Sequence, residues 1–359
     1  MSAGRTVETT LVIIAALLVL AVCKLAQAVL EPVVFAVFII MIAWPTQKAL
    51  QASTGKALAL VVTVVATIAV VLALLGVIVW GGGQVVDWVN QHLERIQETL
   101  LASTSWLEKH DIFVLTLLSD HFNSAQMVRL LQRVVIQANT ILAFALIVLL
   151  YVILGLVEAE AVAGRIGALQ NRDVSQRLLT AGASINRKFR TYMLVRTIAS
   201  ALTGLAVWGF ARLMGLEMAA ACGVLAFALN YLPYLGSLIV TGFLAVFAFV
   251  QTGSPQSSLI VLGGVSLIQV VIGSYLEPVF SGEALAISPP VVLFTIVLWT
   301  YLWGALGAFL GVPLAIAAMT LLNAFPSTRW IADILSGGRT RAEPGLDGES
   351  LAFERADPR

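Results

Sequence analysis

Apolar runs of about 20 residues, broken by short polar punctuation, recur along almost the whole chain. A hydrocarbon core about 30 Å thick needs roughly 20 apolar residues in helical form. The pattern therefore predicts membrane spans at 11–30, 33–50, 57–83, 139–157, 192–213 and 257–277, with longer apolar stretches at 216–250 and 291–325. Glu31-Pro32 divides the first pair, because proline cannot continue a helix and restricts the residue before it; Glu31 reads as an interfacial turn. Trp44-Pro45 and Lys48 mark the far interface of the second span. The fold class that follows is all-α: a polytopic transmembrane helical protein of about eight spans.

Two polar stretches keep a helical rhythm. Val85, Val89, Leu93, Ile96 and Leu100 step by four, four, three and four, which is one helix face; Val174, Leu178, Ile185 and Phe189 form another among basic residues. The second reads as an interfacial helix on anionic lipid, or else as a coupling element or oligomer contact.

The two long apolar stretches hold 35 residues each. As single helices they would measure roughly 52 Å, well beyond one crossing. Each is interrupted near its middle, the first at Asn230-Tyr-Leu-Pro233-Tyr-Leu-Gly236-Ser237, the second at Gly304-Ala-Leu-Gly307-Ala-Phe-Leu-Gly311-Val-Pro313. Broken backbone at membrane depth survives only inside protein or beside a wet cavity, and paired Pro/Gly interruptions point to a transporter's binding site. The competing reading is close helix packing, for which the Gly307/Gly311 spacing is also suited. A span followed by a broken stretch occurs twice. With both stretches re-entrant, the first entering from outside and the second from the cytoplasm, the two units form an inverted repeat; two continuous tilted spans are the alternative.

Composition agrees. Hydrophobic residues make up 59% of 359 positions and charged residues 11%, against about 25% charged in ordinary globular domains. A net charge of +1 offers no general attraction to nucleic acid. Cys23 and Cys222 both sit in apolar runs and read as small buried hydrophobes. The basic loop 158–191, with Arg165, Arg172, Arg177, Arg187, Lys188 and Arg190, belongs in the cytoplasm by the positive-inside rule. Counting spans outward makes both termini cytoplasmic and puts 84–138 outside, in what the pattern reads as a bacterial inner membrane. The organisation is then 1–10 N-terminus, 11–83 three spans, 84–138 extracytoplasmic amphipathic helices, 139–157 a fourth span, 158–191 the basic segment, 192–325 a transport unit and 326–359 a largely disordered polar tail.

Candidate chemistry is sparse. His92, His110 and His121 lack metal-ligand spacing and read as solvated; no nucleophile set, phosphate loop or protease-type acid pair is present, so neither an enzyme nor a cofactor is expected. Glu277, closing a span before Pro278, reads either as an intramembrane carboxylate facing a pathway or as a headgroup-level cap. Lys24 reads as a snorkelling residue. Asn230, Gln269 and Ser288 can offer uncharged hydrogen bonds to a solute, or equally satisfy helix breaks. From Leu213 to Thr328 there is no Lys or Arg, so a neutral polar solute is at least as well suited as an anion.

The ordered blocks Asn230-Tyr-Leu-Pro-Tyr-Leu-Gly-Ser237, Glu277-Pro278 with Gly282, Leu285-Ala-Ile-Ser-Pro289 and Trp303-Gly304 through Gly307, Gly311 and Pro313-Leu314 resemble the autoinducer-2 exporter family of bacterial and archaeal permeases, over roughly 8–326. Where that family often has a basic residue after the glycine, this chain has Glu283. The resemblance implies an eight-span core, a homo-oligomer with a pentamer as the implied form, and alternating-access or elevator-like transport of small solutes. In some members of that family it includes exchange of sodium with protons. The expectation is a gradient-driven transporter or exporter of a small polar solute, with H+ or Na+ as candidate ions and lipid as its solvent. A passive channel and a non-transporting membrane scaffold are the rivals. The pathway candidates are Asn230, Pro233, Gly236, Ser237, Gln269, Glu277, Pro278, Ser288, Gly307, Gly311 and Pro313.

Overall fold

A computed structural model describes residues 2–96, 98, 124–277, 279 and 287–336. Helices make up the described architecture in the order α1 (Ser2–Leu25), α2 (Gln27–Thr54), α3 (Lys56–Gln91), α4 (Ser124–Gly167), α5 (Arg172–Leu213), α6 (Ala219–Leu229), α7 (Leu235–Thr252), α8 (Pro255–Val270), α9 (Pro289–Ala324) and α10 (Arg329–Leu335). The last turns of α8 widen into a π-helix, Val271–Leu276. Seven helices among the described residues are long and apolar enough to cross a membrane: α2, α3, α4 from Leu142, α5, α7, α8 with its π extension, and α9. The chain is an all-α, multi-pass membrane protein. Leucines and valines of α1, α3 and α4, such as Leu17, Val65 and Leu146, remain exposed, as lipid-facing positions require.

Three expected boundaries move. The first break falls at Ala26, not at Glu31-Pro32, and Glu31 and Pro32 lie buried in the first turns of α2. Pro32 is the sixth residue of α2, inside the helix, where it removes one i→i−4 hydrogen bond without ending the helix. The basic segment is not a separate interfacial helix. Its second half runs without interruption into the next span as the 42-residue α5, capped by the Asn171 side chain accepting from Val174 N at 3.1 Å. The outer amphipathic face begins on α3 as far as Gln91, but all of 99–123 lies outside the described residues, Leu100 of that face included, as do Gly282, Glu283, Pro278 and the tail from 337; His110 and His121 fall in the same segment. His92 is not simply solvated: its ring stacks on Trp88 with centroids 4.5 Å apart and faces Glu217 at 3.8 Å.

Both long apolar stretches fold as antiparallel hairpins. In the first, α6 and α7 return to the same side. Gln251 Nε2 donates to Gly215 O at 3.0 Å, and Glu217 N donates to Gln251 Oε1 at 3.1 Å. At the other end Gly236 lies directly against Leu229. α6, with 11 residues, is about 16 Å long and stops partway through a bilayer. Its small residues let it sit hard against α5, where Gly204 and Gly223 each face the other's carbonyl. In the second hairpin, α9 bends back on itself at Trp303 (φ −127°, ψ 15°) and Gly304 (φ 65°, ψ −145°). Gly307 lies against Trp299, and Gly311 against Ile296, in antiparallel register. Its base is on the opposite side of the molecule: Arg177, near the start of α5, donates to Ala324 O at 3.0 Å. The hairpins thus point at each other from opposite faces, and each follows a crossing helix, α5 or α8.

Candidate functional site

The two tips meet. Tyr231 and Phe309 have ring centroids 6.0 Å apart, and Leu232 packs into the apolar cluster of Trp303, Ala308 and Leu310. Beside them opens a cavity of about 1150 Å³. Phe227, Tyr231 and Leu232 line it from the first tip, and Leu306 and Phe309 from the second. Phe35 of α2 and Leu74 of α3 form an apolar wall, with Phe35 stacked on Phe309 at 5.6 Å and 13°. Nearly all its polar lining comes from α5: Asn186, Arg187, Arg190, Thr191 and Thr197. Thr197 Oγ1 accepts from the Tyr231 hydroxyl at 2.9 Å, joining the wall to the first tip.

The first tip's geometry follows from its residues. Asn230 is 8% exposed and donates Nδ2–H to the buried Ser200 Oγ at 3.1 Å. Pro233 is buried in the turn, after which Tyr234 adopts φ 62°, a left-handed conformation costly for a bulky residue. Gly236 is required because a Cβ there would overlap the Leu229 carbonyl oxygen. Ser237 Oγ donates to Tyr234 O at 2.9 Å. These residues build the tip rather than line the cavity.

At the second tip the break is narrower than expected. Pro313 lies within the helical second arm, buried and nine residues beyond Gly304, so it does not make the turn. Gly304 does, because its φ and ψ are open to glycine alone. Gly307 and Gly311 let the arms touch. Lys24 does not snorkel to the headgroups. Its ammonium donates to Tyr301 O at 3.0 Å and Leu302 O at 2.8 Å, two carbonyls freed by the break. Trp303 Nε1 answers by donating to Cys23 O at 2.9 Å.

The remaining expected residues are dispersed. Gln269 Nε2 is enclosed without a partner among the described residues. Ser288 starts α9 and donates both N–H and Oγ–H to Leu335 O, at 3.4 and 3.0 Å. Glu277 accepts from Nη1 of Arg196 at both carboxylate oxygens, 2.7 and 2.8 Å. Arg196 is 7% exposed. It is the charged partner of Glu277 that sequence reasoning missed, although the signal was there. It is a cation five residues inside an apolar span, well apart from Arg212 at the span's other end, and Glu277 is the acid at the far end of the next continuous span.

A multi-pass helical protein with opposed re-entrant hairpins closing on a cavity has the architecture of a membrane transporter. The chain belongs to the AI-2E family of transporters, whose family model matches residues 11–327. It is 27% identical to the AI-2 transport protein TqsA of Escherichia coli K12, over 91% of this chain and 95% of that protein. A Haemophilus influenzae protein provisionally named a transport protein is 26% identical over 91% of this chain and 96% of its own length. YhhT of Escherichia coli K12, named in the same provisional way, is 33% identical over 43% of this chain and 44% of its own.

Proposed function

We propose that this chain is a secondary, gradient-driven transporter of a small polar solute, working by alternating access at the cavity between the hairpin tips. The observation that carries this reading is the meeting of two oppositely inserted hairpins at one cavity. Displacement of either tip would open a path to one side while the other stays shut. The described residues have no helix-bound phosphate loop, so the drive is an ion gradient or the solute's own gradient. Asn171 and the basic turns of α5 face the cytoplasm of a bacterial inner membrane, both termini lie on that side, and α2–α4 form the frame. The exposed apolar faces of α3 and α4 suit lipid and neighbouring copies in a homo-oligomer, for which a pentamer is the resemblance's suggestion.

The test is flux into vesicles holding the purified protein, across a panel of small metabolites with imposed proton or sodium gradients. Saturable flux, lost in the Pro233→Ala/Gly236→Ala variant while the oligomer stays folded, supports the reading. Flux that never saturates makes the protein a channel. Absence of any flux from well-assembled protein makes it a scaffold.

A further inference from the structure

Glu31 has no assigned role, and its position is unusual. Its side chain sits in the first turns of a membrane-crossing helix, and the residue is 7% exposed. Gln27 Nε2 approaches one oxygen, Oε2, at 3.4 Å, while Oε1 is enclosed without a partner among the described residues. The charged group facing it is Lys24 of α1, which makes no ion pair with it within 4.0 Å because its ammonium is bonded to the carbonyls of Tyr301 and Leu302. Tyr301, whose ring lies 5.7 Å from that ammonium, is the titratable side chain that α9 brings to Lys24. One turn along α2, Phe35 lines the cavity and stacks on Phe309. Glu31 therefore stands behind the second hairpin tip, one residue removed from its carbonyls.

From this geometry we infer that Glu31 is the proton-binding group that couples a pH gradient to movement of the second hairpin. The inference rests on the transport reading above. Glu277 is poorly suited to the task, because Arg196 already holds both its oxygens. Glu31 Oε1 has no partner among the described residues and can take a proton, and an ionisable group within a membrane helix points to function by default. Ionised, it shares Lys24 electrostatically and draws the ammonium from the tip carbonyls. A proton moving onto Oε1 cancels that pull, and Lys24 then closes fully on Tyr301 O and Leu302 O, fixing the tip. No other bond forms or breaks.

Two readouts test this, one of them independent of any solute. A spin label is placed at Leu306 of the tip, in protein with Cys23 and Cys222 replaced by Ser, and its mobility is followed from pH 5 to 9. The expected result is a single pH transition in the parent, absent in Glu31→Gln and in Lys24→Met but retained in Glu277→Gln. In vesicles, one-for-one proton exchange gives about a tenfold change in the solute ratio per pH unit. Glu31→Gln abolishes that response while solute–solute exchange continues. A pH transition that survives in Glu31→Gln overturns the inference even where flux is intact. Loss of all flux in the parent, with the label transition still dependent on Glu31, overturns the transport reading and leaves Glu31 as a proton site.

Discussion

The Arg196–Glu277 pair allows a quantitative test of where the membrane boundary lies. Arg196 is 17 residues from the Leu213 end of α5, about 26 Å down the helix, and Glu277 is 22 residues from Pro255, about 33 Å. Leu213, the end of α5, and Pro255, the start of α8, lie on the same side, so the two charges meet near the far edge of a core about 30 Å thick. Charge centres roughly 4 Å apart attract by about 4 kcal/mol at an effective dielectric constant of 20, and stranding one partner of a buried pair costs about 3–5 kcal/mol. Arg196→Met and Glu277→Leu should each destabilise by about that amount. The double variant should recover most of the loss, leaving a coupling energy of about 3–4 kcal/mol. The assay is equilibrium unfolding in mixed micelles, followed by tryptophan fluorescence. Coupling below about 1 kcal/mol, the range of exposed pairs, would refute burial and return Glu277 to a headgroup-level cap. Flux measured on the same variants separates structure from transport. Loss in Glu277→Gln that returns in the double variant assigns the pair to stability.

Gly236→Ala forces a Cβ into the Leu229 carbonyl, and Gly304→Ala places a side chain at φ 65°, ψ −145°; each should cost about 1–3 kcal/mol and lower flux several-fold. Pro313→Ala, within a helical arm, should change flux less than twofold, in a side-by-side comparison with Gly304→Ala. Lys24→Met should speed amide hydrogen exchange around Trp303 by roughly tenfold, because two carbonyls lose a charged donor. A cysteine replacing Ser254, beside the base of the first hairpin, should react with an impermeant reagent added outside; protection there with reaction from the cytoplasm would invert the proposed orientation.

What the sequence made legible was set by hydropathy and by backbone chemistry. Two 35-residue apolar stretches exceed one crossing, and that length, with a glycine and a proline near each middle, was enough to put hairpins forward beside continuous tilted spans. Which residue makes the turn was not legible in the second case. Gly304, Gly307, Gly311 and Pro313 all interrupt a helix on paper, and only the φ and ψ of Gly304 separate a bend from three residues that serve packing. Long-range partners were harder to read. Lys24 and Tyr301, 277 positions apart, share no local pattern, and although Arg196 and Glu277 each stand out as charges in apolar spans, nothing local pairs them across 81 positions. Glu31-Pro32 misleads as a boundary because a proline inside a helix removes one backbone hydrogen bond without always ending the helix, as Pro32 and Pro45 both show within α2.

A hairpin that stops inside a bilayer leaves unpaired carbonyls and amides, and the way each tip satisfies them constrains what can move. The first tip closes on itself and on α5: Leu232 N donates to Leu229 O at 2.9 Å, Gly236 N to Leu232 O at 2.9 Å, and Asn230 to Ser200 of α5 at 3.1 Å. The second tip relies on α1, through Lys24 and through the Cys23 carbonyl that accepts from Trp303. The hairpins are therefore tethered to different parts of the chain. A rigid unit of residues 192–325 could not shift against the N-terminal helices without breaking the two Lys24 bonds and the Trp303 bond. Hydrogen bonds to a charged donor contribute about 1.5–3 kcal/mol each, so moving the second tip away from α1 costs several kcal/mol unless α1 travels with it. Cross-linking α1 to α2 near Gln27 separates the two cases: if α1 travels with the tip the link arrests transport, and if the Lys24 bonds break at each cycle it leaves transport running.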